Sequence, residues 1–178
     1  QAGVSAEDAG FDYNVGVGNY VFDGVASGID AEGNVAVGHE AMSGVLTDAA
    51  HGNVAIGYQA GLVLTSAADN VIIGGNAGDA LQDGGDNTFV GQNAGGATVS
   101  GNSMTIVGRN AGSGVITAAA AGAVLIGHSA GAALTSGDGN VAIGFQALDA
   151  LPTGSKNTAV GHQALSAINA SEDSNTAV

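Results

Sequence analysis

Apolar residues fall along this chain in short runs of three, each opened by Asn and closed by Gly. The best-kept copies are Asn34-Val-Ala-Val-Gly38, Asn53-Val-Ala-Ile-Gly57, Asn70-Val-Ile-Ile-Gly74, Asn87-Thr-Phe-Val-Gly91, Asn140-Val-Ala-Ile-Gly144 and Asn157-Thr-Ala-Val-Gly161. Weaker copies close at Gly18, Gly108 and Gly127, the last two with Met104 and Ala123 in the Asn position, and a tenth opens at Asn175. From Gly18 to Gly161 successive glycines are 20, 19, 17, 17, 17, 19, 17 and 17 residues apart. Three residues beyond each Gly stands Ala (Ala41, Ala60, Ala77, Ala94, Ala111, Ala130, Ala147, Ala164), with Val21 as the exception. A second, shorter apolar pair follows, as in Val45-Leu46, Val63-Leu64 and Ala150-Leu151, and then a Ser, Thr, Asp and Gly cluster leads back to Asn. Each period reads as strand, turn, short strand, turn.

Self-similarity at a fixed short period is the signature of a stacked-coil architecture. A 17-residue period is too short for a helical hairpin and carries no 3.6-residue apolar pattern, while Val, Ile and Thr bounded by Gly, Asn and Asp favour strands and turns. The predicted fold is all-β: a parallel β-solenoid, of β-roll or β-helix type, with nine coils of about 17–20 residues. At one strand spacing per coil the rod would be roughly 43 Å long. Three consecutive apolar positions per strand mean that both faces call for burial. The first and third residues point one way. The middle residue, mostly Ala but Ile72, Phe89, Ile106 and Leu125 in the central coils, points the other. One thin interior cannot cover both faces, so side-by-side association of chains is expected.

Composition agrees with a thin core: 32 Gly, no Cys, no Trp, and only three Tyr and four Phe in 178 residues. A formal charge of −14, with Arg109 and Lys156 the only Lys or Arg, argues against nucleic acid and anionic membranes. The absence of Cys removes disulfides, thiolate catalysis and Cys-ligated zinc. No apolar run approaches the ~20 residues of a membrane-spanning helix, so membrane insertion is not expected. Residues 1–13 read as a lead-in and 14–178 as the solenoid, a segment of a longer chain.

Most candidate chemistry is absorbed by the repeat. Asn34, Asn53, Asn70, Asn87, Asn140 and Asn157 would stack into an asparagine ladder, and Gly38, Gly57, Gly74, Gly91, Gly144 and Gly161 would supply a turn or a close backbone approach. Gly127-His-Ser-Ala-Gly131 has the form of a nucleophile elbow, but its glycines and Ala are repeat positions and no helix follows, so no catalytic residue is expected. His39, His128 and His162 all follow the repeated Gly but lie in separate coils. Only copies meeting on a shared axis could bring them to one metal. Asp69 and Asp86 precede Asn in adjacent coils and should repel unless a cation intervenes, which makes them weak candidates for calcium. Gly74 to Leu81 only faintly resembles a calcium-binding nonapeptide. No other cofactor is expected.

Asn157-Thr-Ala-Val-Gly-His-Gln-Ala-Leu165 and Asn53-Val-Ala-Ile-Gly-Tyr-Gln-Ala-Gly61 resemble the repeats of bacteriophage tail fibres, those of marine phages especially, and are similar to the head repeats of trimeric autotransporter adhesins. The resemblance runs from Asn14 to Val178, with longer inter-strand loops than the adhesin heads. It implies a homotrimer wound round one axis, a structural and adhesive role in host attachment through an unidentified surface receptor such as a glycan, and a place on a virion or a cell surface. The alternatives are a bacterial adhesin or filament subunit, an ice- or polysaccharide-binding solenoid, and a carbohydrate-active β-helix. Thr88, Thr105, Thr158 and Thr176 share their column with Val, too broken a ladder for an ice surface. The acids fall at variable offsets in turns, unlike a catalytic carboxylate pair.

Overall fold

The computed structural model describes residues 13–168 and 171–178. Ten strands, β1 (Val15–Val17), β2 (Val35–Val37), β3 (Val54–Ile56), β4 (Val71–Ile73), β5 (Thr88–Val90), β6 (Thr105–Val107), β7 (Val124–Ile126), β8 (Val141–Ile143), β9 (Thr158–Val160) and β10 (Thr176–Ala177), form one parallel sheet in chain order. The chain is a parallel β-solenoid of about nine turns, with β10 opening the tenth copy. Apart from Tyr13, the lead-in lies outside the described residues.

Three-residue strands are stable here because each from β2 to β9 is paired on both sides. Val71 N–H donates to Asn87 O at 2.8 Å and Gly74 N–H donates to Ile56 O at 2.8 Å, and the same pair of bonds repeats from coil to coil. Registry is strict: Ile72 stands beside Ala55 and Phe89, and Phe89 beside Ile106. The middle residue of each strand from β2 to β9 is buried, while the first and third are half-buried or exposed. A one-residue slip would exchange the two sets, so the pattern itself pins the register.

The second apolar pair is not a strand, contrary to the sequence reading. It contributes an inward side chain (Leu46, Leu64, Leu81, Thr98, Ile116, Leu134, Leu151) from a bent segment. Backbone bonds between these segments converge on single carbonyls, as where Thr65 N–H and Ser66 N–H both donate to Gln82 O at 2.9 and 3.1 Å, and do not form a ladder. The two extra residues of the longer coils make matching turns at 47–50 and 117–120, where Ala50 N–H reaches Thr47 O and Ala120 N–H reaches Thr117 O. The second of these turns holds the 3₁₀ helix Ala118–Ala120. Gly38 and Gly108, Gly57 and Gly127, Gly74 and Gly144, and Gly91 and Gly161 are each 70 residues apart, so a block of four coils itself repeats.

Two turn positions control packing. The Gly that ends each strand lies against the corresponding Gly of the next coil. At Gly91, with φ +132°, an added Cβ would sit 2.7 Å from Gly108 O, a backbone atom that cannot step aside. The residue after the repeated Ala, or after Val21 in the first coil, is left-handed in every full coil, and its identity varies with the strand. It is Gly78, Gly95, Gly112 and Gly131 where the middle strand residue is Ile72, Phe89, Ile106 and Leu125. It is Phe22, Met42, Leu148 and Leu165 where that residue is Gly16, Ala36, Ala142 and Ala159. A Cβ at Gly95 would fall 2.9–3.1 Å from three atoms of the Phe89 ring, and one at Gly16 would fall 3.2 Å from Phe22 Cδ2. Only the third coil, with Ala55 and Gly61, is small at both, and there Leu64 Cδ1 and Ile72 Cδ1 lie 2.9 and 3.4 Å from where a Cβ on Gly61 would sit.

Candidate functional site

Four columns of side chains run along the rod. The first is internal. Asn34, Asn53, Asn70 and Asn87 are buried one above another, and each Oδ1 accepts from the next rung. Asn53 Oδ1, for example, accepts Asn70 N–H at 3.1 Å and Asn70 Nδ2–H at 2.9 Å, while Asn70 Nδ2 also donates to Gly84 O at 2.9 Å. Every polar atom of the amide is thereby used inside the core. The column stops at Met104, whose N–H takes the last acceptor on Asn87 at 3.0 Å, and at Ala123, and it resumes through Asn140, Asn157 and Asn175. Met104 fills its slot differently: a Cβ on Gly101 would meet both the Met104 thioether and Thr98 Cγ2, so those side chains converge there. Thr98 Oγ1 is the one buried side-chain polar atom without a hydrogen bond among the described residues.

The second column is an outer amide ladder two residues past the repeated Gly, at left-handed positions. Gln59 donates to Glu40 at 2.6 Å, Asn76 to Gln59 at 3.0 Å, Asn93 to Asn110 at 3.1 Å and Gln163 to Gln146 at 3.0 Å. Asn76 also reaches Asp79 at 3.4 Å, and partial burial of that carboxyl raises its pKa above the ordinary value despite this bond.

The third column, one residue past the repeated Gly, carries the rings. His39 stacks on Tyr58 at 5.5 Å between centroids, His128 on Phe145 at 5.3 Å, and Phe145 on His162 at 5.1 Å, with ring planes 12–18° apart. Tyr20 meets His39 edge-on at 5.6 Å. Arg109 Nη2 lies 2.8 Å from His128 Nε2. A guanidinium only donates, so Nε2 carries the lone pair and Nδ1–H donates to Ser129 Oγ at 3.0 Å. That is the reverse of the direction needed to activate a serine nucleophile. The three histidines thus stand in separate coils, as their spacing requires, and serve as rungs.

Asp69 and Asp86 occupy the left-handed position before Asn, at φ 57° and 60°, where other coils place Gly33, Gly52, Gly122 and Gly139. Asp tolerates that conformation better than most residues, which gives both a backbone role. Among the described residues no group of three or more His, Asp or Glu is placed to hold a metal ion.

The fourth column is the outward face of the sheet, the first and third strand residues, all Val, Ile or Thr among the described strands. Ile56, Val71 and Ile143 are each 37% exposed. A lone solenoid therefore carries a continuous apolar face on its sheet. The sequence reading anticipated that face and placed His39, His128 and His162 at one repeat position, but it did not join Tyr58, Arg109 and Phe145 to them at the same phase.

These features define a class, the parallel β-solenoid of tandem coils. Comparison with protein-family models, curated proteins and solved structures gave no match to this chain.

Proposed function

We propose that this chain is a shaft or head segment of a homotrimeric fibre that mediates attachment to a host surface, as in a phage tail fibre, with a bacterial cell-surface adhesin or extracellular filament as the alternative owner. The single observation behind this reading is the apolar outer face of the sheet, which a second and third chain would cover. Rod-like stacking adds support, since coil-to-coil backbone bonds at every strand give stiffness along the axis. The repeat resemblance favours the fibre over the filament. Light scattering on the purified chain at micromolar concentration tests the proposal: three times the 16.9 kDa chain mass is expected, and a monomer at every accessible concentration would overturn it.

A further inference from the structure

We infer that copies of this chain meet through one acid-free band made of the outward strand residues together with the ring column, and that the opposite turn edge faces solvent. The inference rests on the self-association proposed above and specifies its surface. Of the acidic residues in the described chain, Asp30, Glu32, Asp48, Asp69, Asp83, Asp86, Asp138, Glu172 and Asp173 lie in the turn that leads into Asn, and Asp23, Glu40, Asp79 and Asp149 lie in the turn after Gly, beyond the rings. None occupies an outward strand position or the column His39, Tyr58, Gly75, Gln92, Arg109, His128, Phe145, His162; the Glu40 carboxylate alone reaches its edge, 3.6 Å from His39 Nδ1. In a chain of charge −14, two copies brought together along the acidic turn would set like charges within a Debye length in the coils up to Asp86 and from Asp138 onward, the coils between them carrying no acid. The outward strand positions and the ring column carry no acidic residue of their own along the rod, and Arg109 is their one Lys or Arg.

Apolar exposure is concentrated on the same band. Tyr58 is 53% exposed and Phe145 43%, and Val15, Val17, Ile56, Val71 and Ile143 are also exposed. The opposite face offers only Val45 and Val115, two coils among many. Ten strands at ~4.8 Å and a band roughly 15 Å wide give about 700 Å² per chain, which in a trimer is shared between two neighbours, against the ~800 Å² that each partner contributes to a standard pairwise interface. Aromatic and Arg side chains are also those most enriched at such contacts.

Sedimentation velocity on single-site variants tests the assignment. Tyr58→Glu and Phe145→Glu alter side chains that are already exposed in the single chain, so circular dichroism should show the fold retained. Association should weaken at least tenfold, while Val115→Glu on the opposite face should sediment like wild type. Association unchanged in both ring variants, or lost as readily in Val115→Glu, would overturn the band while leaving self-association standing. A monomeric wild type would remove both.

Discussion

Between Ile72 and Gly131 the strand supplies the bulk and the turn gives way to glycine, whereas in the coils around Ala36, Ala142 and Ala159 the strand is reduced to Ala and the turn supplies Met42, Leu148 or Leu165. Both arrangements fill one cross-section, but their local costs differ. The flanking coils hold large side chains at φ 48–55°, a left-handed backbone that disfavours L-residues by roughly 1–2 kcal/mol. The central coils avoid that strain and instead tie each Gly to the shape of a single strand residue. A solenoid can thus keep its outline constant while two positions trade volume, provided that they trade together.

The strongest way to break this comparison is at Phe89 and Gly95. Phe89→Ala should cost about 3–5 kcal/mol in chemical denaturation, since it empties the largest buried side chain. Gly95→Leu should be similarly damaging, because its side chain must occupy the Phe89 ring. The double variant reproduces the pairing of Ala159 with Leu165, and its loss should fall short of the sum by roughly 1–3 kcal/mol. Strict additivity would show that the two sites do not exchange volume.

The asparagine column allows a second contrast, between interior and end. Asn70→Ala leaves Asn87 N–H and Nδ2–H without their acceptor inside the core, and a loss of about 2–4 kcal/mol is expected. Asn175→Ala, at the half-exposed last described rung, should cost less than about 1 kcal/mol, as water replaces the bonds. Equal losses would show that burial does not govern the ladder.

At the centre, Thr98 stands where neighbouring coils have Leu or Ile, and its hydroxyl is unsatisfied. Thr98→Val keeps the shape and should stabilise by about 1 kcal/mol, read as a higher denaturation midpoint. The smallest effect belongs to Asp79. Its pKa is raised by burial, so the folded chain holds this proton more tightly than the unfolded chain. Its contribution to stability therefore falls as pH rises through the window above 3.8, and it recovers as pH drops back. Asp79→Asn should flatten that part of the stability profile, and an unchanged slope would contradict the assignment.

Strand positions, the Asn slot and the glycine columns were legible in the sequence because each depends on one residue type recurring at one phase. The second short strand was misread. An apolar pair such as Val63-Leu64 signals burial of Leu64 but says nothing of backbone pairing, and the chain bends there. The exchange between Phe89 and Gly95 was also hidden, because it links two columns that must first be known to touch. Asp69 and Asp86 looked like a repelling pair from their spacing alone. Their left-handed backbone angles, which the repeat does not reveal, supply another reason for them. The ring column was half visible: its histidines were singled out for metal chemistry, while Tyr58 and Phe145 at the same phase passed unnoticed.

Because the chain has no Cys, a single introduced thiol reports directly on which surface meets another copy. Ile126→Cys lies on the outward sheet face and Val115→Cys on the opposite side. Under mild oxidation of the folded protein, Ile126→Cys should form covalently linked pairs in high yield while Val115→Cys remains a single chain. Linkage through Val115→Cys with none through Ile126→Cys would contradict association through the sheet face.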